Sequence, residues 1–160
     1  MPKILIVDDD KKLILLIRGF LEKEKYNVAE AYSGRMALDV IKEVKPDLII
    51  LDIMMPEMDG IEACKKIKAD RDTKTIPVIM LTSMSNVRDK VIGLNAGAND
   101  YITKPFNPEE LIARVKAQLR IKFLEEELLR KEEIEAVTPP TPENQKGPQE
   151  AITDLKKGLK

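Results

Sequence analysis

Three unbroken apolar runs, ILIV at 4–7, LIIL at 48–51 and VIML at 78–81, constrain this chain more than any other feature. A strand with one wet face alternates apolar and polar residues, whereas a strand covered on both faces is apolar throughout. Two weaker runs complete the set, giving candidate strands at 3–8 (KILIVD), 27–32 (NVAEAY), 47–52 (DLIILD), 76–82 (IPVIMLT) and 100–104 (DYITK). The segments between them are long enough for the crossover helices that parallel strands require. Their ends carry matching punctuation. Ser33 and Ser85 suit N-caps, Gly97 suits a C-terminal cap, and Asn107-Pro108-Glu109-Glu110 reads as N-cap, N1 proline and capping-box glutamate. The repeat predicts an α/β fold over residues 1–122: a doubly wound five-stranded parallel sheet flanked by five helices.

The last helical pattern overruns that domain. It continues from Leu111 past residue 130 with no Gly or Pro before Pro139. Ala117, Ile121, Leu124 and Leu128 follow one another at coiled-coil spacing, but Lys131 and Glu135 interrupt the seam before it reaches three heptads. Residues 123–137 are therefore expected to be an extension of the last helix, either solvated or used for dimerisation or signal relay. Residues 138–160, with four of the ten prolines in TPPTPENQKGPQ, read as a flexible tail or linker.

Composition removes several function classes. A net charge of −1 gives no electrostatic reason to expect nucleic acid, whose binding needs a clustered basic face. The single cysteine, Cys64, allows no internal disulfide. No apolar run approaches the roughly 20 residues of a membrane span, and the first strand leaves no room for a signal peptide. The expected location is cytoplasmic, with no membrane partner. The chain has no histidine, which removes Ser-His-Asp and Cys-His catalysis and most zinc sites. Any chemistry must use carboxylates, hydroxyls and lysines.

Those groups collect at one edge. In an open α/β sheet, ligands bind beyond the carboxyl ends of the strands. The first candidate strand ends in Asp8-Asp9-Asp10, the third in Asp52, the fourth in Thr82-Ser83 and the fifth in Lys104-Pro105. Carboxylates from two strands would repel if left dry and unpaired, and a hard divalent cation relieves that repulsion. Mg²⁺ prefers oxygen ligands, commonly one or two carboxylates plus phosphate oxygens. With an ammonium from Lys104 and a hydroxyl from Thr82, the set suits stabilisation of a phosphoryl group.

The motifs VDDD at 7–10, LDIMMPEMDG at 51–60, MLTS at 80–83 and AGANDYITKPF at 96–106 resemble the receiver domain of two-component response regulators. The resemblance covers roughly the first 120 residues, in order and at family-like spacing. It implies a flavodoxin-like strand order of 2-1-3-4-5, for which the chemotaxis receiver is a standing example. It implies that Asp52 is the phosphoacceptor and a ligand of Mg²⁺ or Mn²⁺. Asp9 would bind the metal directly, Asp8 through a bridging water, and Met54 through its backbone carbonyl. Thr82 and Lys104 match the switch hydroxyl and the phosphate-pairing lysine, and Tyr101 the aromatic that responds to the threonine. Pro56 and Gly60 resemble the family's loop-shaping pair, and Pro105 would follow a cis bond. Asp59 is expected to cap the third helix, and Asn99, where many relatives carry a second acid, to be silent. Met54 and Met84 resemble positions flanking the path of attacking water, so slow loss of the phosphoryl group is expected.

The implied protein is a phosphoacceptor switch rather than an enzyme, with at most slow self-dephosphorylation. Its implied partners are a histidine kinase or phosphotransfer protein as donor and a downstream protein target, with a possible homodimer through the last helix. The alternative is the receiver portion of a larger regulator, a transcription factor or nucleotide cyclase. A rival from another class is a haloacid-dehalogenase-like phosphatase, in which Asp8 and Asp10 would be nucleophile and acid. Lys12 and the lack of a later acidic pair count against it. A flavin module is opposed by the acidic loop after the first strand.

Overall fold

A computed structural model describes residues 1–83 and 87–137. Met84, Ser85 and the tail at 138–160 lie outside the described residues. Residues Met1–Phe123 form one compact unit, and the described residues Leu124–Val137 belong to a second.

Five strands, β1 (Lys3–Val7), β2 (Asn27–Ala31), β3 (Leu48–Asp52), β4 (Val78–Thr82) and β5 (Asp100–Thr103), alternate with α1 (Lys11–Lys23), α2 (Gly34–Val44), α3 (Gly60–Ala69), α4 (Val87–Asn95) and α5 (Pro108–Val137). All pairings are parallel, in the order β2-β1-β3-β4-β5. β4 begins two residues later than the candidate strand at 76–82. Pro77 has no N–H to donate, so it contributes only its carbonyl, which accepts from Ile49 N at 3.0 Å.

The three continuous apolar runs are buried on both faces, and alternate residues divide between two cores. Leu5, Val7, Ile49, Leu51, Val78 and Met80 pack with Ala37 and Ile41 of α2 and Ala63, Cys64 and Ile67 of α3. Ile4, Ile6, Leu48, Ile50, Ile79 and Leu81 pack with Ile14, Ile17 and Leu21 of α1 and Leu111, Val115 and Leu119 of α5. Each such branched side chain contributes on the order of 2 kcal/mol on burial. β1 and β3 are thereby held rigidly in register, and their carboxyl ends are fixed.

The helix ends show which side chains are spent on structure. Asp10 caps α1, its Oδ1 accepting from Lys12 N at 3.0 Å and Leu13 N at 3.3 Å. Ser33 caps α2 through Met36 N, and Asp59 caps α3 through Glu62 N at 2.8 Å. Asn107 Oδ1 accepts from Glu109 N at 2.8 Å. The capping box expected at Glu110 is replaced: its carboxylate takes Arg114 Nε, one turn on, at 3.0 Å. A charged partner within reach outcompetes a backbone N–H. Gly97, at φ +103°, supplies the left-handed residue after α4. Asn99 is exposed but not idle. Its Oδ1 accepts from Val78 N at 2.9 Å and so holds the start of β4.

Candidate functional site

At the carboxyl edge of the sheet, β1 hands Asp8 and β3 hands Asp52 to the same point. Both are almost fully buried, at 1% and 3% exposure. They are there because a strand's last residue follows its apolar run without a turn between. The Asp8 backbone N–H donates to Ala31 O at 3.1 Å, and its Oδ1 accepts from Asp10 N at 2.9 Å. Asp52 Oδ1 faces Met54 N at 3.4 Å. Lys104, just past β5, reaches both acids: its Nζ lies 3.0 Å from Asp52 Oδ1 and 3.1 Å from Asp8 Oδ2. Sequence reasoning matched Lys104 to a phosphate and did not foresee its contact with Asp8. The bond from Lys104 to Pro105 is cis.

Burial first, then repulsion from Asp52, holds the Asp8 carboxyl above the usual carboxylate range, against the opposing Asp10 N–H and Lys104. Burial works to lower Lys104, but its hydrogen bond to Asp52 and the charges of Asp52 and Asp8 prevail and raise it. One ammonium therefore serves two buried acids, and the site keeps an excess negative charge. Asp9, exposed beside them, brings a third carboxylate. One oxygen from each of Asp8, Asp9 and Asp52 falls within 4.8 Å of the others. An all-oxygen, acid-rich cluster with a charge deficit fits a hard divalent cation.

Around this centre, Gly60 opens α3 directly against β3. A Cβ on it would overlap the Asp52 carbonyl, and its N–H donates to Ile53 O at 2.9 Å. Gly60 is thus more than a helix-start residue, because only glycine allows that approach. Between them, the loop carries exposed Pro56, Glu57 at φ +65° and buried Met55. Met54 stands 57% exposed. Thr82 is buried and lines a narrow crevice together with Lys90, Gly93 and the half-buried Tyr101. The Tyr101 ring lies between two cations, 4.6 Å from Lys90 Nζ and 5.9 Å from the Arg114 guanidinium. Arg114 is fixed in turn by Asp100, at 2.9 Å. Sequence reasoning missed Lys90 and Arg114, since long-range cation–π contacts leave no local pattern. Asp10, by contrast, is turned to its helix. The carboxylate that the phosphatase reading needs as an acid is already capping α1.

A model of the response regulator receiver domain matches residues 4–116. The chain belongs to the response regulator receiver family. This receiver is 44% identical over 120 residues to the DNA-binding dual master transcriptional regulator RpaA of Synechocystis sp., covering 75% of this chain and 50% of the relative. It thus spans about half the length of that curated relative. Among solved structures it is similar to the receiver domain of a signal transduction histidine kinase from Syntrophus aciditrophicus, at 41% identity and a TM-score of 0.71 over 75% of this chain and 91% of that one. It is also similar to a CheY-like response regulator receiver domain protein from Methanospirillum hungatei, at 34% identity and 0.73 over 78% and 98%. A receiver works with a histidine kinase. The expectation of no nucleic-acid partner gains no support, because RpaA is named as DNA-binding. Among the described residues no helix is long and apolar enough to cross a membrane.

Proposed function

We propose that the receiver's phosphoacceptor is Asp52 and that Asp8, Asp9 and the Met54 carbonyl hold Mg²⁺ or Mn²⁺ beside it. The observation that carries this is the buried pair of acids served by a single lysine. Such an arrangement is poor for stability alone, but suits a centre that gains metal and phosphate. A divalent cation supplies charge neutralisation for the phosphoryl oxygens. Lys104 pairs with one of those oxygens and Thr82 donates its hydroxyl to another. The Asp52 carboxylate oxygen attacks phosphorus, a P–O bond forms, and the P–N bond of a donor phosphohistidine breaks. Its electron pair stays on the departing imidazole nitrogen. The donor's histidine lies outside these 160 residues, which hold none, in a kinase or phosphotransfer domain.

The new charge on Asp52 biases the receiver between two conformers. Thr82 and Tyr101 carry the change through their shared crevice to the α4–β5–α5 surface. The partner there is a downstream protein. The likeness to half of RpaA favours a second reading, in which this receiver and its helical extension (123–137, then the tail at 138–160) control a DNA-binding module. The protein is a switch rather than an enzyme, acts in the cytoplasm, and loses its phosphoryl group slowly because the Met54 side chain covers the approach of water. Met84, the second residue in that expectation, lies outside the described residues. Incubation with Mg²⁺ and a small-molecule phosphodonor tests the central reading by intact mass. Gain of one phosphoryl group in the native protein and none in Asp52→Asn is expected, and a gain that survives the substitution refutes it. Met54→Glu should shorten the phospho-lifetime severalfold, measured by decay of the phosphorylated mass.

A further inference from the structure

The acid cluster lies at the carboxyl edge of the sheet, and a separate cavity opens at the amino edge. It measures about 720 Å³, within the range that holds a small ligand. The C-terminal end of α2, the turn after α3 and one side chain of α5 build it. Ile41, Pro46 and Ile76 give it a buried apolar floor, and Lys42 and Lys45 stand exposed around that floor. Lys122 also lines it, with its Nζ held by Asp47 at 3.0 Å. Asp70 and Asp72 add carboxylates.

Several of these charges have no partner in the fold. A lysine at a helix C-terminus commonly bonds the last carbonyls, but here other donors do so. Ile41 O accepts from Lys45 N at 2.9 Å and Val44 O from Lys3 Nζ at 3.4 Å. Near the end of α3, Ile67 O accepts from the Thr73 hydroxyl at 2.7 Å. Asp70 Oδ1 accepts from Asp72 N at 2.9 Å and so braces the turn. Among the described residues, the Lys42 and Lys45 ammoniums and the Asp72 carboxylate have no hydrogen-bond or ion-pair partner. Charges of both signs line one cavity without neutralising each other.

Separated charges over an apolar floor fit a ligand with matching parts. Ammoniums take phosphate oxygens. A carboxylate accepts from ribose hydroxyls, as it does at dinucleotide sites. A flat base suits the floor of Ile41, Pro46 and Ile76. A simple anion would satisfy the lysines but be repelled by Asp72.

We propose that the amino-edge cavity is a nucleotide site, with Lys42 and Lys45 at the phosphates, Asp72 at the ribose and the apolar floor under the base. The inference is independent of the phosphoacceptor reading, and its test is run in chelator so that no divalent cation takes part.

Calorimetric titration of the full chain with ATP and, separately, GTP should show a single saturable site for at least one of them, weakening as salt rises. Lys42→Ala/Lys45→Gly should reduce that affinity at least about tenfold. The melting temperature should stay equal or higher, because residue 45 has a left-handed backbone, φ +49°, that glycine adopts freely. Lys25→Gly removes a lysine from the same backbone conformation, φ +67°, outside the cavity and should leave binding unchanged. Asp72→Ala should weaken nucleotide binding yet leave tripolyphosphate binding equal or tighter. No binding of either nucleotide below about 2 mM overturns the proposal. So does tripolyphosphate binding as tightly as the nucleotides, which would mark a site for anions alone. Nucleotide binding that survives Lys42→Ala/Lys45→Gly, or falls as far in Lys25→Gly, overturns it as well.

Discussion

Two lysine–aspartate bridges of equal length lie at opposite edges of the same sheet. At the amino edge, Lys122 Nζ meets Asp47 Oδ1 at 3.0 Å, and the other Asp47 oxygen accepts from Lys3 N at 2.7 Å. That pair stays open to water, and Asp47 keeps 30% of its side chain in solvent. At the carboxyl edge, Lys104 makes the same contact with Asp52 at 3.0 Å, but must also serve Asp8, and both acids are nearly dry. Distance is the same and consequence opposite. A pair in partial solvent is a modest brace, whereas a buried site with one charge too many is a receptor for something positive.

The largest test of that contrast removes a carboxylate. Asp52→Asn should abolish phosphoryl uptake and, in metal-free buffer, raise stability by about 1 kcal/mol by ending the repulsion on Asp8. Denaturant unfolding with chelator reads the second effect, and a clear loss of stability would contradict the charge argument. Lys104→Met strips two buried acids of their cation. It should cost about 3 kcal/mol without metal, and added Mg²⁺ should restore a large part of it.

The pH response follows from the raised Asp8. Its folded-state pKa lies above the unfolded one, so its favourable contribution is full below the unfolded value and is lost as pH rises through the folded value. Divalent cations need the ionised form and gain affinity over that same window. The Mg²⁺-induced shift in melting temperature should therefore be small at low pH and grow as Asp8 ionises. A shift independent of pH would exclude Asp8 from the metal site. Lys122→Met should show the smallest effect, about 1 kcal/mol or less, unchanged by Mg²⁺.

Much of this was legible beforehand for a physical reason. Burial on both faces of a strand writes itself as an uninterrupted apolar run, and the residue that ends the run must emerge at the sheet's edge. Asp8, Asp52 and Thr82 could be placed by that rule alone, and Lys104 by the weaker run before it. What depends on three-dimensional proximity without periodicity could not. The apolar runs did not show that Lys104 touches Asp8 as well as Asp52, that Asp10 is spent on a cap, or that Glu110 prefers Arg114 to the backbone. Nor did they show that Asn99 fastens β4, or that Lys90 and Arg114 flank Tyr101. The role of Gly60 lay between these cases. Its position was marked by a motif, but the reason, contact with the Asp52 carbonyl, needed coordinates.

That contact has a use in engineering. Gly60 N bonds Ile53 O, so the segment from Ile53 to Gly60 is a loop tied shut at its neck. Its exposed members, Met54, Pro56 and Glu57, hang from that knot rather than from the strand. Libraries that vary these residues while keeping Gly60 should retune access to the acid without shifting its backbone. The loop is in effect an exchangeable faceplate on a fixed socket.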